Sequence, residues 1–336
     1  MRAFIGSTLH GLPGLVRGTR LRGDAGEVAV EALIPGDCLL TLSGQARTVE
    51  RVVPRRIDLS RHPRPETAWP LRIHRGAIAN GVPGRDLGVS PGQILFLGGA
   101  RMLAQDLVNG ATITTEPASS VEYFQIALAG RDVLIADGMP LETCPEPGSH
   151  PAFAGGTALL LHPEFAPAPD RSLDPFTQSV RRHLLDRAQT LGHGITRDPC
   201  VHLLVDNTPV HPAAIEGARH VFEMPPRPGL RDLHVVSRAG IPAELDAGSM
   251  DRRRHGVRLG PIVLAGEGWR DEIDPADTRL QEGFHEAGGP VGRWTDGHAR
   301  LPVEHPYLGT VEFLVLGVHP AWAADAIPAA PADRRA

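Results

Sequence analysis

A chain of 336 residues, 41% hydrophobic and 22% charged, has the length and balance of one large or two ordinary folded domains. A formal charge of −5 lacks the basic field of a nucleic-acid binder, and its 34 basic residues are all Arg, which excludes a Schiff-base or P-loop lysine. Aromatic residues make up only 4% while Gly (38) and Pro (32) are abundant, so short strands and turns around a Leu, Val, Ile and Ala core are expected.

The N-terminal stretch has an early Arg but no apolar run of signal-peptide length, and no segment is long and apolar enough to span a bilayer. A cytoplasmic location without membrane contact is the default expectation. Glu27 to Glu31 alternates apolar and polar residues as a half-buried strand does. Ile34-Pro35-Gly36-Asp37 reads as a turn, with Pro presetting φ and Gly permitting a positive one. Strands follow at Cys38–Leu42 and Thr48–Val53. Residues 54–70, rich in Pro and Arg, read as an exposed connection. Further strands are expected at 71–73, 89–96 and 112–115, with a short helical turn at 104–108 closed by Asn109-Gly110. Glu122 to Leu128 is the clearest strand of this half. Phe124, Ile126 and Leu128 share one of its faces, and 132–136 is expected to complete a hairpin with it.

Residues 145–174 hold many prolines and glycines and read as a domain boundary. A helix is expected from Pro175 to Leu191, with Val180, Leu184, Ala188 and Leu191 at helical spacing and Gly192 as its stop. Strands then return at 202–205, 233–236, 257–264 and 311–318. The expected organisation is all-β: a first domain at 1–155, a linker and helix at 156–195, a β-sandwich at 196–325 and a disordered tail at 326–336.

The order of segments in the first half resembles bacterial Hedgehog/intein (Hint) domains. The resemblance is carried by Gly18-Thr19-Arg20, Glu27 to Glu31, Pro35-Gly36-Asp37, Arg61 to Glu66, Ile73 to Ala77, Asp86 to Pro91, Val121 to Phe124 and Asp132 to Gly138. It covers about residues 14–153 and implies a flat, all-β horseshoe. It also implies an acyl shift, in which a Cys opening the domain attacks the peptide carbonyl before it and a Ser-x-x-His or Thr-x-x-His histidine assists the leaving nitrogen.

The reactive residues of that family are absent here. The nucleophile position, four residues before Gly18, is Gly14. The Ser-x-x-His pattern falls on Ser90-Pro91-Gly92-Gln93, which keeps the Ser and replaces the imidazole by an amide that does not titrate near neutrality. Where relatives carry histidines in the late hairpin, this chain has Gln125 and Arg131, and the terminal Gly-Asn pair is Gly148-Ser149. Removing the nucleophile of a comparable catalytic unit costs roughly ten-thousand-fold or more in rate. Ser7 and Thr8 are hydroxyls upstream, but they lie too far from Gly18 and lack an evident base.

Across the chain, Cys38, Cys144 and Cys200 match no zinc or disulfide framework, and His150, His162, His183, His202 and His211 lack ligand spacing. No cofactor or metal is expected. Glu282 to Ala287 and Arg293 to Ala299 resemble a motif of β-sandwich modules that accompany Hint domains and glycosyltransferases. Trp294, Asp296 and His298 are thus candidate ligand residues, with the Trp face stacking on a sugar; the alternative is that Trp294 fills the core and Thr295-Asp296-Gly297 is a turn. Asp251-Arg252-Arg253-Arg254-His255 reads as a solvated basic loop open to a local anionic contact. The expected function is a Hint-domain protein without self-cleavage, acting as a structural or binding module. Its partner would be a peptide in the Hint groove or a glycan on the sandwich. A self-cleaving enzyme with a Ser or Thr nucleophile is the alternative from another class.

Overall fold

The computed structural model describes residues 13–130, 132–143, 174–224, 232–286, 291–305 and 307–323. Ser7, Thr8, Arg131, Cys144, Gly148, Ser149, His150, His162 and the tail lie outside them. The chain divides into two compact units, 1–191 and 192–336.

The first unit is a Hint-like β-horseshoe built of two sheets. One sheet has seven strands in the order Ile113–Thr115, Leu71–Ile73, Leu87–Val89, Leu15–Val16, Ser120–Leu128, Ala46–Asp58 and Cys38–Leu40. The other has six, in the order Glu27–Ala29, Arg20–Arg22, Val133–Ala136, Met139–Glu142, Ile94–Leu97 and Ala100–Leu103. The chain passes from the first sheet to the second at three corners: between Val16 and Arg20, between Val89 and Ile94 and between Leu128 and Val133. These corners account for two departures from the sequence reading. The stretch 89–96 is not one strand, because the Ser90–Gln93 turn breaks it and sends its halves to different sheets. Residues 133–136 do not form a hairpin with 120–128 but pair with Met139–Glu142 and Arg20–Arg22.

The longest pairing joins Ser120–Leu128 to Ala46–Asp58, in register from Ser120↔Asp58 to Ala127↔Arg51 before a bulge at Leu128. Residues 54–58, expected as a connection, are therefore strand. Pro54 is tolerated opposite Phe124 because Cys38–Leu40 reaches only Ala46–Thr48, leaving the later stretch paired on one side among the described residues. Phe124, Ile126 and Leu128 enter the main core with Leu15, Leu21, Leu39, Leu95 and Leu141. The opposite face is not solvent: Val121 and Tyr123 form a second apolar cluster with Leu59, flanked by Val16, Ile57 and Trp69.

The helix Pro175–Thr190 has Asp174 as its N-cap, whose Oδ1 accepts from the Phe176 and Thr177 N–H groups at 2.9 and 3.0 Å. It packs on the first unit: Leu184 lies in that core, and Arg187 Nε donates to Gly76 O at 2.5 Å. Leu191, given the same helical face by spacing, is the C-cap and is 45% exposed.

The second unit is a β-sandwich. A four-stranded sheet orders Thr208–Val210, His202–Val205, Leu233–Val236 and His298–Arg300; facing strands Ala214–Glu216, Arg219–Glu223, Thr310–Val318, Val257–Gly266 and Trp269–Ile273 form the other sheet, with Arg293–Trp294 also paired to Val257–Gly266. Phe222, Phe313, Leu203, Val235 and Leu259 fill the space between. No helix among the described residues is long and apolar enough to cross a membrane.

Asn109 is not a helix cap. The preceding Ala104–Leu107 is a 3-10 turn, and buried Asn109 Oδ1 accepts from the N–H groups of Ala111, Thr112 and Ile113 at 3.1, 2.9 and 2.9 Å. Substitution Asn109→Ala strands three donors and is expected to cost about 3 kcal/mol, read as a lower urea midpoint at unchanged m.

Candidate functional site

Gly14, Ser90 and Gln93 come together where the two sheets of the first unit meet. Leu15–Val16 pairs with Tyr123 and Phe124 on one side and Val89 on the other, which seats Gly14 at the head of the short strand. Ser90 N–H donates to Gly14 O at 2.9 Å, and Gln93 N–H closes the corner on Ser90 O at 3.0 Å. Ser90 and Gln93 are both buried.

Gln125 stands on the same side of the strand as Tyr123, and its Nε2 donates to Pro13 O at 3.0 Å. That carbonyl belongs to the peptide bond entering Gly14, the bond an acyl shift at this position would attack. Gln93 Nε2 donates instead to Glu142 O at 3.0 Å and Ile94 O at 3.1 Å, tying the corner to the Met139–Glu142 strand. Both amides thus hold backbone carbonyls. What remains between Pro13, Gly14, Gln93, Gln125, Leu134 and Leu141 is a cavity of about 10 Å³, no more than one water molecule needs.

Tyr123 is the residue that sequence reasoning missed. A Cβ added at Gly14 would lie 2.9 Å from Tyr123 Cβ, closer than such atoms approach, so the space a side chain at 14 would need is taken. The Tyr123 hydroxyl donates to Ala68 O at 3.0 Å, and burial pushes its pKa well above the usual phenol value. The signal was its parity with Gln125 on the face opposite Phe124.

Asp137, inside the Asp132–Gly138 segment, is buried with φ +49°. Arg20 N–H donates to its Oδ2 at 3.2 Å, and Arg85 lies 3.2 Å from Oδ1, an atom with no hydrogen bond among the described residues. Burial raises the carboxyl pKa above the ordinary value, and the Arg20 N–H and the Arg85 charge only partly offset this.

These features match a known family. Residues 13–147 match the Hint domain family. The first unit carries a Hint domain. Solved structures similar to the Hint domain include an intein-like domain from Clostridium thermocellum, with 15% identity, 40% of this chain and 100% of that one covered, and a TM-score of 0.31. The gp41-1 intein has 13% identity, 40% and 100% coverage and a TM-score of 0.30. A DnaB intein from Synechocystis has 7% identity, 40% and 99% coverage and a TM-score of 0.29. The search of curated proteins found no match.

In the second unit, Trp294 and His298 lie in strands of different sheets. The Trp294 indole is half-buried, edge-on to His255 with ring centroids 5.4 Å apart, and it packs over Gly317. Asp296 Oδ1 accepts from His298 N–H at 2.8 Å, which makes Thr295-Asp296-Gly297 a turn, with Thr295 fully buried. The His298 ring lies 4.4 Å from that of His234, whose pKa is lowered, first by burial. Among the described residues no three His, Cys, Asp or Glu are grouped to hold a metal ion.

Two outcomes are expected. Gly14→Ala forces a Cβ into Tyr123 and destabilises the domain by about 1–3 kcal/mol, measured by chemical denaturation. Asp137 has a raised folded pKa, so its stabilising contribution is complete below about pH 4 and is lost as pH rises through the folded value. Asp137→Asn, which mimics the neutral form and tolerates positive φ, should therefore melt higher than the parent at pH 7, the gap closing toward pH 3.

Proposed function

We propose that the Hint domain of this chain is a non-cleaving scaffold whose former reaction centre grips its own leading segment. The observation that carries the reading is the hydrogen bond from Gln125 Nε2 to Pro13 O beside a residue with no side chain. A neutral amide donor holds that carbonyl without the charge an imidazolium would bring and transfers no proton, and nothing at position 14 attacks. The Gly14 carbonyl is held by Ser90 N–H, so the peptide is fixed on both sides. The remaining space of about 10 Å³ admits no second peptide, which makes the chain's own residues the occupant of the groove.

A glycan on the second unit would need Trp294 to present a free ring face, whereas its indole packs over Gly317 and against His255. The scaffold reading therefore stands first. Cys38 and Cys200 are free thiols, which supports action in a reducing compartment such as the cytoplasm.

Intact-mass spectrometry tests the proposal. The full chain should keep its mass through prolonged incubation with excess thiol and with hydroxylamine, reagents that trap a thioester or ester. A product shortened at its N-terminus would overturn the scaffold reading and favour a surviving Ser or Thr nucleophile.

A further inference from the structure

One edge of the strand Ala46–Asp58 is open over most of its length. Cys38–Leu40 covers Ala46, Arg47 and Thr48, and on the same side Val49 O accepts from Gly36 N–H and Val49 N–H donates to Asp37 O, both at 2.8 Å. Beyond Val49, residues 50–58 pair only with Ser120–Leu128 among the described residues. Alternate residues of that stretch turn their C=O and N–H groups to the open side, and Pro54 contributes no donor. Val52 packs against the main core and Ile57 against the Tyr123 cluster, so the backbone is fixed before any partner arrives.

The side chains along this edge are basic and uncommitted. Arg51, Arg55 and Arg56 are exposed and make no side-chain hydrogen bond or ion pair among the described residues. Register puts Arg51 and Arg55 on the face of Tyr123 and Arg56 on the face of Phe124. Glu122 stands opposite Arg56, yet its carboxylate is taken by Arg17, at 2.6 and 3.0 Å. Asp58 lies 3.9 Å from Arg61, and Glu50, at the near end, is the other acidic group of the stretch. A chain with a formal charge of −5 therefore presents a positive strip along an open backbone edge.

We propose that this edge takes up an acidic, extended peptide segment as an added β-strand. Main-chain hydrogen bonds to residues 50–58 supply affinity, and carboxylates set across from Arg51, Arg55 and Arg56 supply selectivity. Charge and proline on an edge deter strands at large. Here they act as a filter: a second copy of the chain would bring the same arginines to the same edge, where like charges repel, whereas an acidic strand meets opposite ones. Arg51 and Arg55 are about 13 Å apart along the strand at its usual rise, so a partner with acidic residues at every second position meets both from one face.

Fluorescence anisotropy on the full chain tests the proposal with three labelled decapeptides: alternating glutamate and valine, alternating lysine and valine, and alternating glutamate and proline. The last keeps the charge but is held in the polyproline II conformation and cannot join a sheet. Saturable binding of the glutamate–valine peptide is expected, about tenfold or more tighter than the glutamate–proline one, with none for the lysine–valine one. Hydrogen exchange within residues 50–58 should slow when the first peptide is bound. The combined Arg51→Gln, Arg55→Gln, Arg56→Gln variant should weaken it by about tenfold or more. Near-UV circular dichroism checks the fold, and Arg56→Gln alone, expected to weaken binding about threefold, keeps the test if the combined variant does not fold. No saturable binding of the glutamate–valine peptide, equal binding of either control, or unchanged binding by the folded variants would overturn the assignment. So would a single-stranded oligonucleotide that binds more tightly than the peptide, or a dimer of the parent chain that the arginine variants dissociate.

Discussion

The first unit depends on one strand being buried on both faces. Ser120–Leu128 sends Phe124, Ile126 and Leu128 into the main core and Val121 and Tyr123 into a second cluster. A half-buried strand specifies register through one face; a strand buried on two specifies it twice, because a one-residue slip would exchange the two sets. The long partner Ala46–Asp58 and the short strand Leu15–Val16 flank it on either side. The position of Gly14 follows from that pairing: it is the residue immediately before a strand whose register is locked to Tyr123 and Phe124.

The same constraint shapes the junction around Gly14, Gln93 and Gln125. In a site at the junction of two sheets, every polar group is removed from water and must find a partner. An imidazole there can act as donor or acceptor and can carry charge. An amide keeps the donor and drops the charge, and here the amides of Gln93 and Gln125 donate to the carbonyls of Glu142, Ile94 and Pro13. The two amides thereby tie backbone at the junction of the sheets. Tyr123 occupies the volume a side chain at position 14 would use.

The second unit sorts its charges differently. Its histidines pair with one another at close range, His234 with His298 and His255 with His285 at 4.4 and 4.6 Å between ring centroids. Burial and like-charge repulsion lower the pKa of His234 and His255, which favours neutral rings packed as flat apolar bodies with polar edges. The carboxylate of Asp251 is committed to Arg253 and His255.

Much of the strand pattern was legible from apolar and β-branched runs bounded by turn residues, as at Val257–Gly266 and Thr310–Val318, whereas Val30 and Glu31, expected to continue the strand from Glu27, fall in a 3-10 turn. The helix Pro175–Thr190 was legible from its proline at the first position, its spacing and the glycine beyond it, which has φ +101°. That position 14 carries no side chain and position 93 an amide was likewise readable, since it is a matter of which atoms are present. What the sequence could not express was where the chain changes sheet. The Ser90–Gln93 corner interrupts a run that alternates smoothly on both sides, and residues 133–136 lie near 128 in sequence but pair with strands of the other sheet. Local periodicity carries no information about which partner a strand will find, because that choice is made by burial over the whole unit. The contact of Tyr123 with position 14 and the open edge of Ala46–Asp58 are products of that long-range choice, and only the tertiary structure decided them.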